Sequence, residues 1–205
     1  MKHINRSSPL SHFTYFVAKK PKQWKDLAIN NYMLYDDCRK TLAQDQDGKS
    51  GYTELPLTKK PNVWHIDHFL KQDHFPRHIF DWQNLIVDNH SKTFGADFKD
   101  SYIKKKDENI RLINPVTEEP EDFFTYMANG KIVPRDNLSD YDRSRAIYTI
   151  QAFNLNHPEL IRIRTELDKS IKTYKAGGLD DDEITMALNK NYGLDTFVKY
   201  VLAYI

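Results

Sequence analysis

The chain has 205 residues, of which 40% are hydrophobic and 13% are aromatic. This length and composition suit one packed domain with a sizeable core and exclude a disordered chain. Lysine and arginine number 30 against 29 aspartate and glutamate, a net charge of +1, so the chain lacks the basic excess of a free-standing DNA-binding protein. The single cysteine, Cys38, excludes an intramolecular disulfide and a cysteine-based zinc site.

The sequence shows no signal for secretion or for insertion into a membrane. The opening MKHINRSSPLSHF lacks the apolar stretch of a signal peptide. The sequence contains no run of about 18 apolar residues, the length needed to cross a membrane. We therefore expect a soluble, cytoplasmic protein with no membrane partner.

The first half of the chain combines a helical pattern with short extended ones. Apolar spacing predicts one helix over residues 22–46, before a polar turn. Alternation in GYTEL (51–55) and VWHIDHF (63–69) predicts two strands, and DWQNLIVD (81–88) a further extended segment. A helix is predicted over residues 91–106. Strand, strand and helix in this order are typical of a ββα unit.

The second half is mainly helical. The Asn129-Gly130 pair between apolar runs predicts a β-hairpin. Ser139 is the predicted N-cap of one helix, and another is predicted over residues 157–175. The last segment, FVKYVLAYI (197–205), is apolar and covers either the core or a partner, with the core favoured. The expected class is α+β, mainly helical.

The segment from Val63 to His90 concentrates the polar side chains that catalyse hydrolysis. Phosphodiester hydrolysis needs a base to deprotonate water and a cation near the phosphate. This density predicts either a metal-dependent hydrolytic centre or a hydrogen-bonded structural cluster, and spacing alone leaves both open. The side chains are His65, His68, His74, His78 and His90, with Asp67, Asp73, Asp81 and Asp88 between them.

Adjacent positions in this segment suggest a division of roles. Asp67 and His68 point to opposite faces of a strand, so one can bind a metal while the other faces the substrate where the strand ends. Asn84 can fix the backbone or the imidazole tautomer. His90 or Asn89 can complete a magnesium site, because Mg²⁺ needs few protein ligands.

Three stretches, Asp67-His68-Phe69, FDWQNLIVD and KTFGADF, resemble the motif of the HNH (ββα-metal) nucleases. More narrowly, the chain resembles the HNH subunit of the Septu anti-phage defence systems and of their retron-associated relatives. The resemblance runs almost from end to end, through MKHINRSSPLSHFTYF, RLINPVTEEPEDFFTYMANGKIVP and RAIYTIQAFNLNHPELIRIR.

The resemblance implies a helical segment at 1–48, an HNH ββα-metal unit at 49–106, and a hairpin with helices at 107–205. It implies an endonuclease that cuts DNA, or alternatively an RNA such as tRNA. Its implied cofactor is a divalent cation, Mg²⁺ or Mn²⁺. Its implied partner is an ATPase of the ABC/SMC-like type.

Carried over by position, three residues take the main roles. Asp67 would bind the metal and belong to the catalytic group, and His68 would be the general base that activates water. Asn84 would hold this base in place.

The third motif residue departs from the family. The simplest alignment places Lys92 where the family has asparagine, and lysine cannot bind a cation. We therefore expect His90, or else Asn89, to be the metal ligand there. Lys92, Lys71 and His65 are expected to contact nucleic acid. From its place in the strand, His65 is alternatively a further metal ligand or a packing histidine, and packing is the favoured of these two.

The zinc-binding positions depart as well. Many relatives carry two C-x-x-C pairs that hold a structural zinc. Those pairs would fall at Ser50 and Thr53 and near Asp88 and Ser91, so no structural zinc is expected. A catalytically degenerate scaffolding subunit is the alternative to an active nuclease.

Overall fold

A computed structural model of the chain describes residues 1–58 and 63–205, with positions 189 and 190 described by their backbone only. About half of the residues are helical, and the strands form two small antiparallel sheets. The predicted α+β, mainly helical class is confirmed, whereas the division into three segments stays a prediction. Within the described ranges, no helix combines the length and apolar character needed to cross a membrane.

Three helices open the chain, α1 (Ser11–Ala18), α2 (Lys25–Ala28) and α3 (Tyr32–Asp45). The prediction of one continuous helix over residues 22–46 is wrong, because the helical conformation is interrupted between α2 and α3. At this interruption the Asn31 side-chain amide donates a hydrogen bond to the Asp26 carbonyl at 2.7 Å. Asparagine disfavours helix interiors through such side-chain bonds to the backbone.

The central hairpin consists of β1 (Trp64–His68) and β2 (Leu85–Asn89). These strands pair antiparallel, with His65 opposite Asp88 and Asp67 opposite Ile86. The strand predicted in VWHIDHF is confirmed. In DWQNLIVD only the second half is a strand, because residues 82–84 form a short 3₁₀ helix.

The segment GYTEL is not a strand, contrary to the prediction. It forms turns, and a side chain occupies the neighbouring edge of β2 instead. The Gln46 amide donates to the Val87 carbonyl and accepts from the Val87 N–H, both at 2.8 Å. Gly51 donates its N–H to the same carbonyl at 3.1 Å. One glutamine thus satisfies the backbone groups that a third strand would pair.

The helix predicted over residues 91–106 is also shorter than expected. A turn follows β2, and α4 (Ala96–Tyr102) begins after Gly95, whose φ is 77°. This positive φ is a conformation that glycine adopts at little cost. A separate helix, α5 (Lys106–Ile110), follows.

The rest of the chain follows the predicted order closely. The hairpin around Asn129-Gly130 is confirmed, and so is the helix capped by Ser139, whose hydroxyl accepts from the Asp142 N–H. The remaining elements are α6 (Pro120–Phe123), β3 (Phe124–Tyr126), β4 (Ile132–Pro134), α7 (Asp140–Ala152), α8 (Pro158–Ala176), α9 (Asp181–Tyr192) and α10 (Asp195–Leu202).

The β1–β2 hairpin separates two hydrophobic cores. Ile66, Leu85 and Val87 pack with apolar residues of α1, α2 and α3. On the other face, Ile86 joins a larger core that α4, α7 and α10 share. Phe197, Val198 and Val201 of α10 are buried there, so the apolar end of the chain covers the core as favoured. Because alternate residues of β1 face different cores, the strand carries functional groups on both sides.

Candidate functional site

A cleft of about 390 Å³ opens where β1 ends. It brings together four of the residues predicted to bind metal or nucleic acid or to catalyse hydrolysis, Asp67, His68, His65 and Lys71. The lining residues are Trp24, Tyr35, His65, Ile66, Asp67, His68, Lys71, Gln72, Asp73 and Asp100.

His68 is held as a neutral imidazole at this cleft. Its side chain packs edge-on against Trp24, with ring centroids 4.5 Å apart. Its Nε2 lies 2.9 Å from the Ile79 carbonyl oxygen, which can only accept, so Nε2 carries the proton and Nδ1 the lone pair. Burial lowers the pKa of His68 to about 4. The ring is therefore neutral at physiological pH with its lone pair on Nδ1, and the lowered pKa makes it a weaker base than a free imidazole.

Asn84 anchors the backbone at two points that follow His68 in the chain, Leu70 and His78. Its Oδ1 accepts from the Leu70 N–H at 2.7 Å, and its Nδ2 donates to the carbonyls of Leu70 and His78. The His78 carbonyl precedes Ile79, the residue that receives the His68 N–H. The buried amide thus fixes the segment that orients the imidazole, which agrees with a positioning role.

Asn84→Asp tests this anchoring. We expect it to lower the free energy of unfolding by about 2–4 kcal/mol, because each buried polar group that loses its partner costs about 1–3 kcal/mol. Denaturant titration measures the effect, and Gln83→Glu at the exposed neighbouring position makes the same amide-to-carboxylate change as a control. Equal stability of the two variants would contradict the anchoring role.

Asp67 is buried and bonded to two donors through one oxygen. Its Oδ2 accepts from the Tyr52 hydroxyl at 2.5 Å and from the Lys99 ammonium at 2.6 Å. Lys99, in α4, is 0% exposed and also donates to the His68 carbonyl at 2.7 Å. A lysine ammonium thus neutralises the carboxylate that was predicted to bind a metal.

The residues predicted to bind a metal, Asp67 with His90 or else Asn89, have separate hydrogen-bond partners in the structure. Asn89 points away from the cleft: its amide donates to the Pro56 carbonyl and accepts from the Thr58 N–H. His90 instead lies beside His65 and Asp97. The Mg²⁺ site expected at Asp67 stays a prediction, and the Asp67 carboxylate is held by the Lys99 ammonium in this structure.

Hydrogen bonds join the positions where relatives would bind zinc. Ser50 makes a side-chain hydrogen bond to Asp88, and Ser50 Oγ also accepts from the Tyr52 and Thr53 N–H groups. Asp88 Oδ2 accepts from the Ala96 N–H at 2.7 Å, which ties the start of α4 to β2. A Cβ at position 95 would lie 2.3 Å from that oxygen, so the close approach requires glycine.

Asp88→Asn is expected to change how stability depends on pH. Burial raises the pKa of Asp88 from 3.8 to about 7. Because the folded protein holds this proton longer than the unfolded chain, the contribution of Asp88 is most favourable below about pH 4 and falls as the pH rises to about 7. We expect the free energy of unfolding of the variant, relative to the wild type, to increase over that interval and then level off. Denaturant titration from pH 4 to pH 8 with a chelator present measures this; a pH-independent difference would contradict the shift.

The residues predicted to contact nucleic acid lie in different surroundings. Lys71 lines the cleft, but its ammonium donates to the Asp100 and Ile103 carbonyls at the end of α4. Lys92 is exposed in the turn between β2 and α4. His65 is half-buried, and burial lowers its pKa.

The sequence predicted no role for three residues of this region. Tyr52, Lys99 and Asp97 lie in segments assigned to a strand and a helix with no role. One pattern in KTFGADFKD could have pointed to two of them: a glycine precedes the start of a helix, and Asp97 and Lys99 follow just after it. Their direction toward Asp67 and His65 depends on how α4 docks.

No protein-family model matches the chain, and no curated protein matches it significantly. The HNH resemblance stays a prediction from the sequence.

Proposed function

We propose that this protein is an HNH-type endonuclease that hydrolyses phosphodiester bonds of nucleic acid in the cytoplasm, DNA first and RNA as the alternative. The observation that carries the proposal is His68. A neutral imidazole with a fixed tautomer lines an open cleft next to a buried carboxylate, and strand–strand–helix order surrounds it.

The residues of this chain are assigned one proton transfer and the positioning of its base. His68 Nδ1 takes a proton from a water molecule, and the water oxygen attacks phosphorus. The bond from phosphorus to the leaving oxygen breaks, and the leaving alkoxide takes up a proton from solvent water. The Ile79 carbonyl and Asn84 hold the imidazole during this transfer. The resemblance implies Mg²⁺ or Mn²⁺ to neutralise the phosphate, but no step is assigned to that ion because Asp67 is bonded to Lys99.

A second candidate function is a catalytically degenerate scaffolding subunit. The Lys99 ammonium on Asp67 favours it, because a buried lysine at 2.6 Å competes with a cation for that carboxylate. In this function the His68 region is a structural cluster, and nuclease activity is absent.

The proposed partner is an ABC/SMC-like ATPase that assembles with the nuclease. The near-neutral charge of the chain, +1, fits this arrangement: the ATPase supplies nucleic-acid affinity and this chain supplies the cut.

A substrate panel tests the proposal. The protein is incubated alone and with the proposed ATPase partner, on supercoiled plasmid, single-stranded DNA and structured RNA. Each substrate is tested with Mg²⁺, Mn²⁺ or chelator, and gels resolve the products. We expect cleavage of at least one substrate. Stable assembly with the ATPase but no cleavage of any substrate would favour the degenerate subunit.

A further inference from the structure

Two histidines and an aspartate converge beside the cleft, and one of the histidines, His90, belongs to the predicted metal set. His65 lies on β1, His90 directly follows β2, and Asp97 is in the first turn of α4. His65 Nε2 is 3.7 Å from Asp97 Oδ1, and His90 Nδ1 is 3.2 Å from Asp97 Oδ2. One ligand atom from each residue lies within 4.8 Å of the other two. We propose that His65, His90 and Asp97 bind a divalent transition-metal ion.

Hydrogen bonding alone does not account for this cluster. The two imidazole rings stack nearly parallel, with centroids 4.0 Å apart. His65 Nδ1 is buried without a hydrogen-bond partner among residues 1–58 and 63–205. Two imidazoles facing one carboxylate offer two nitrogens and an oxygen, a common donor set for catalytic metal ions.

The framework that carries the three ligands is fixed from several sides. The His90 N–H donates to the Val63 carbonyl at 2.7 Å, and Asp97 Oδ2 accepts from the Ser91 N–H at 3.1 Å. The Asp88 bond to Ala96 holds the start of α4 next to β2. A preorganised framework lowers the cost of gathering ligands around an ion.

The donor set selects the class of ion. Imidazole nitrogen suits Zn²⁺, Co²⁺, Ni²⁺ and similar ions, whereas Mg²⁺ prefers oxygen ligands and retains several waters. Three protein ligands leave coordination positions open for water or a phosphate oxygen. We therefore expect the site to prefer transition metals over Mg²⁺. This binding does not depend on the proposed nuclease function.

Metal titration of the chelator-stripped protein tests the proposal. Co²⁺ absorption and calorimetry with Zn²⁺ and Mg²⁺ report binding without any activity assay. We expect one Co²⁺ or Zn²⁺ per chain, with Mg²⁺ at least about 100-fold weaker. His90→Ala should weaken Zn²⁺ binding at least about 100-fold, since even residues that only support ligands contribute about 10- to 100-fold.

The controls make the outcome decisive. His90 is exposed, so His90→Ala should fold normally, which thermal denaturation checks. His78→Ala is the matched control, because His78 also faces a single aspartate, Asp81, at 3.1 Å but belongs to no three-residue cluster among the described residues. Binding lost in His90→Ala and kept in His78→Ala supports the site. No binding, binding unaffected by His90→Ala, or equal affinity for Mg²⁺ would overturn it.

Discussion

Replacing His68 by glutamine is expected to slow phosphodiester cleavage by about 10²- to 10⁴-fold, the usual contribution of a general base. Glutamine can keep the donor to the Ile79 carbonyl, which His68 Nε2 contacts at 2.9 Å. It lacks the ring nitrogen lone pair that accepts a proton. Single-turnover cleavage rates on the best substrate measure the loss.

The glutamine variant separates chemistry from folding. His68 is 4% exposed and packs on Trp24, so alanine would leave a cavity as well as remove the base. Circular dichroism and thermal denaturation should show a folded glutamine variant. His12→Ala, an exposed histidine on α1, is the control and should cleave at the wild-type rate. A folded His68→Gln variant with wild-type activity would refute the role of His68.

Lys99→Met is expected to lower the free energy of unfolding by about 3–5 kcal/mol, the usual cost of removing one partner of a buried ion pair. Lys99 is fully buried and donates to Asp67 and to the His68 carbonyl. Methionine fills a similar volume but leaves the Asp67 carboxylate without its cation. Denaturant titration at neutral pH gives the change.

A double variant isolates the ion pair. Asp67→Asn combined with Lys99→Met should lose less stability than the sum of the two single changes, because no charge is left alone. Lys104→Met, at an exposed lysine after the end of α4, should change stability by less than about 0.5 kcal/mol. Additive losses in the double variant would mean that Asp67 and Lys99 are not energetically coupled.

Patterns within short stretches of sequence correctly predicted a strand, a hairpin and a helix. The alternation in VWHIDHF located β1, and the Asn129-Gly130 turn and the Ser139 cap located a hairpin and a helix. The same alternation indicated that Asp67 and His68 leave the strand on opposite faces, and both line the cleft where the strand ends.

Long-range contacts account for what the sequence did not predict. The Gln46 amide pairs with the backbone of Val87, 41 residues away, so GYTEL has no need to form a strand. Lysine is rarely buried, and the Lys99 ammonium is buried where Asp67, 32 residues earlier, and the His68 carbonyl accept its hydrogen bonds. Asp97 joins His65 and His90 through the docking of α4, which no short motif specifies.

Cleavage in ¹⁸O-labelled water shows whether the His68 cleft activates water for phosphodiester hydrolysis. Mass spectrometry of the product ends counts the label at each cut. We predict one ¹⁸O atom in the terminal phosphate per cleavage event, with the signal lost in His68→Gln. Cleavage products without the label, as a 2′-hydroxyl attack on RNA would give, would contradict the account, and so would labelled products that form equally well without His68.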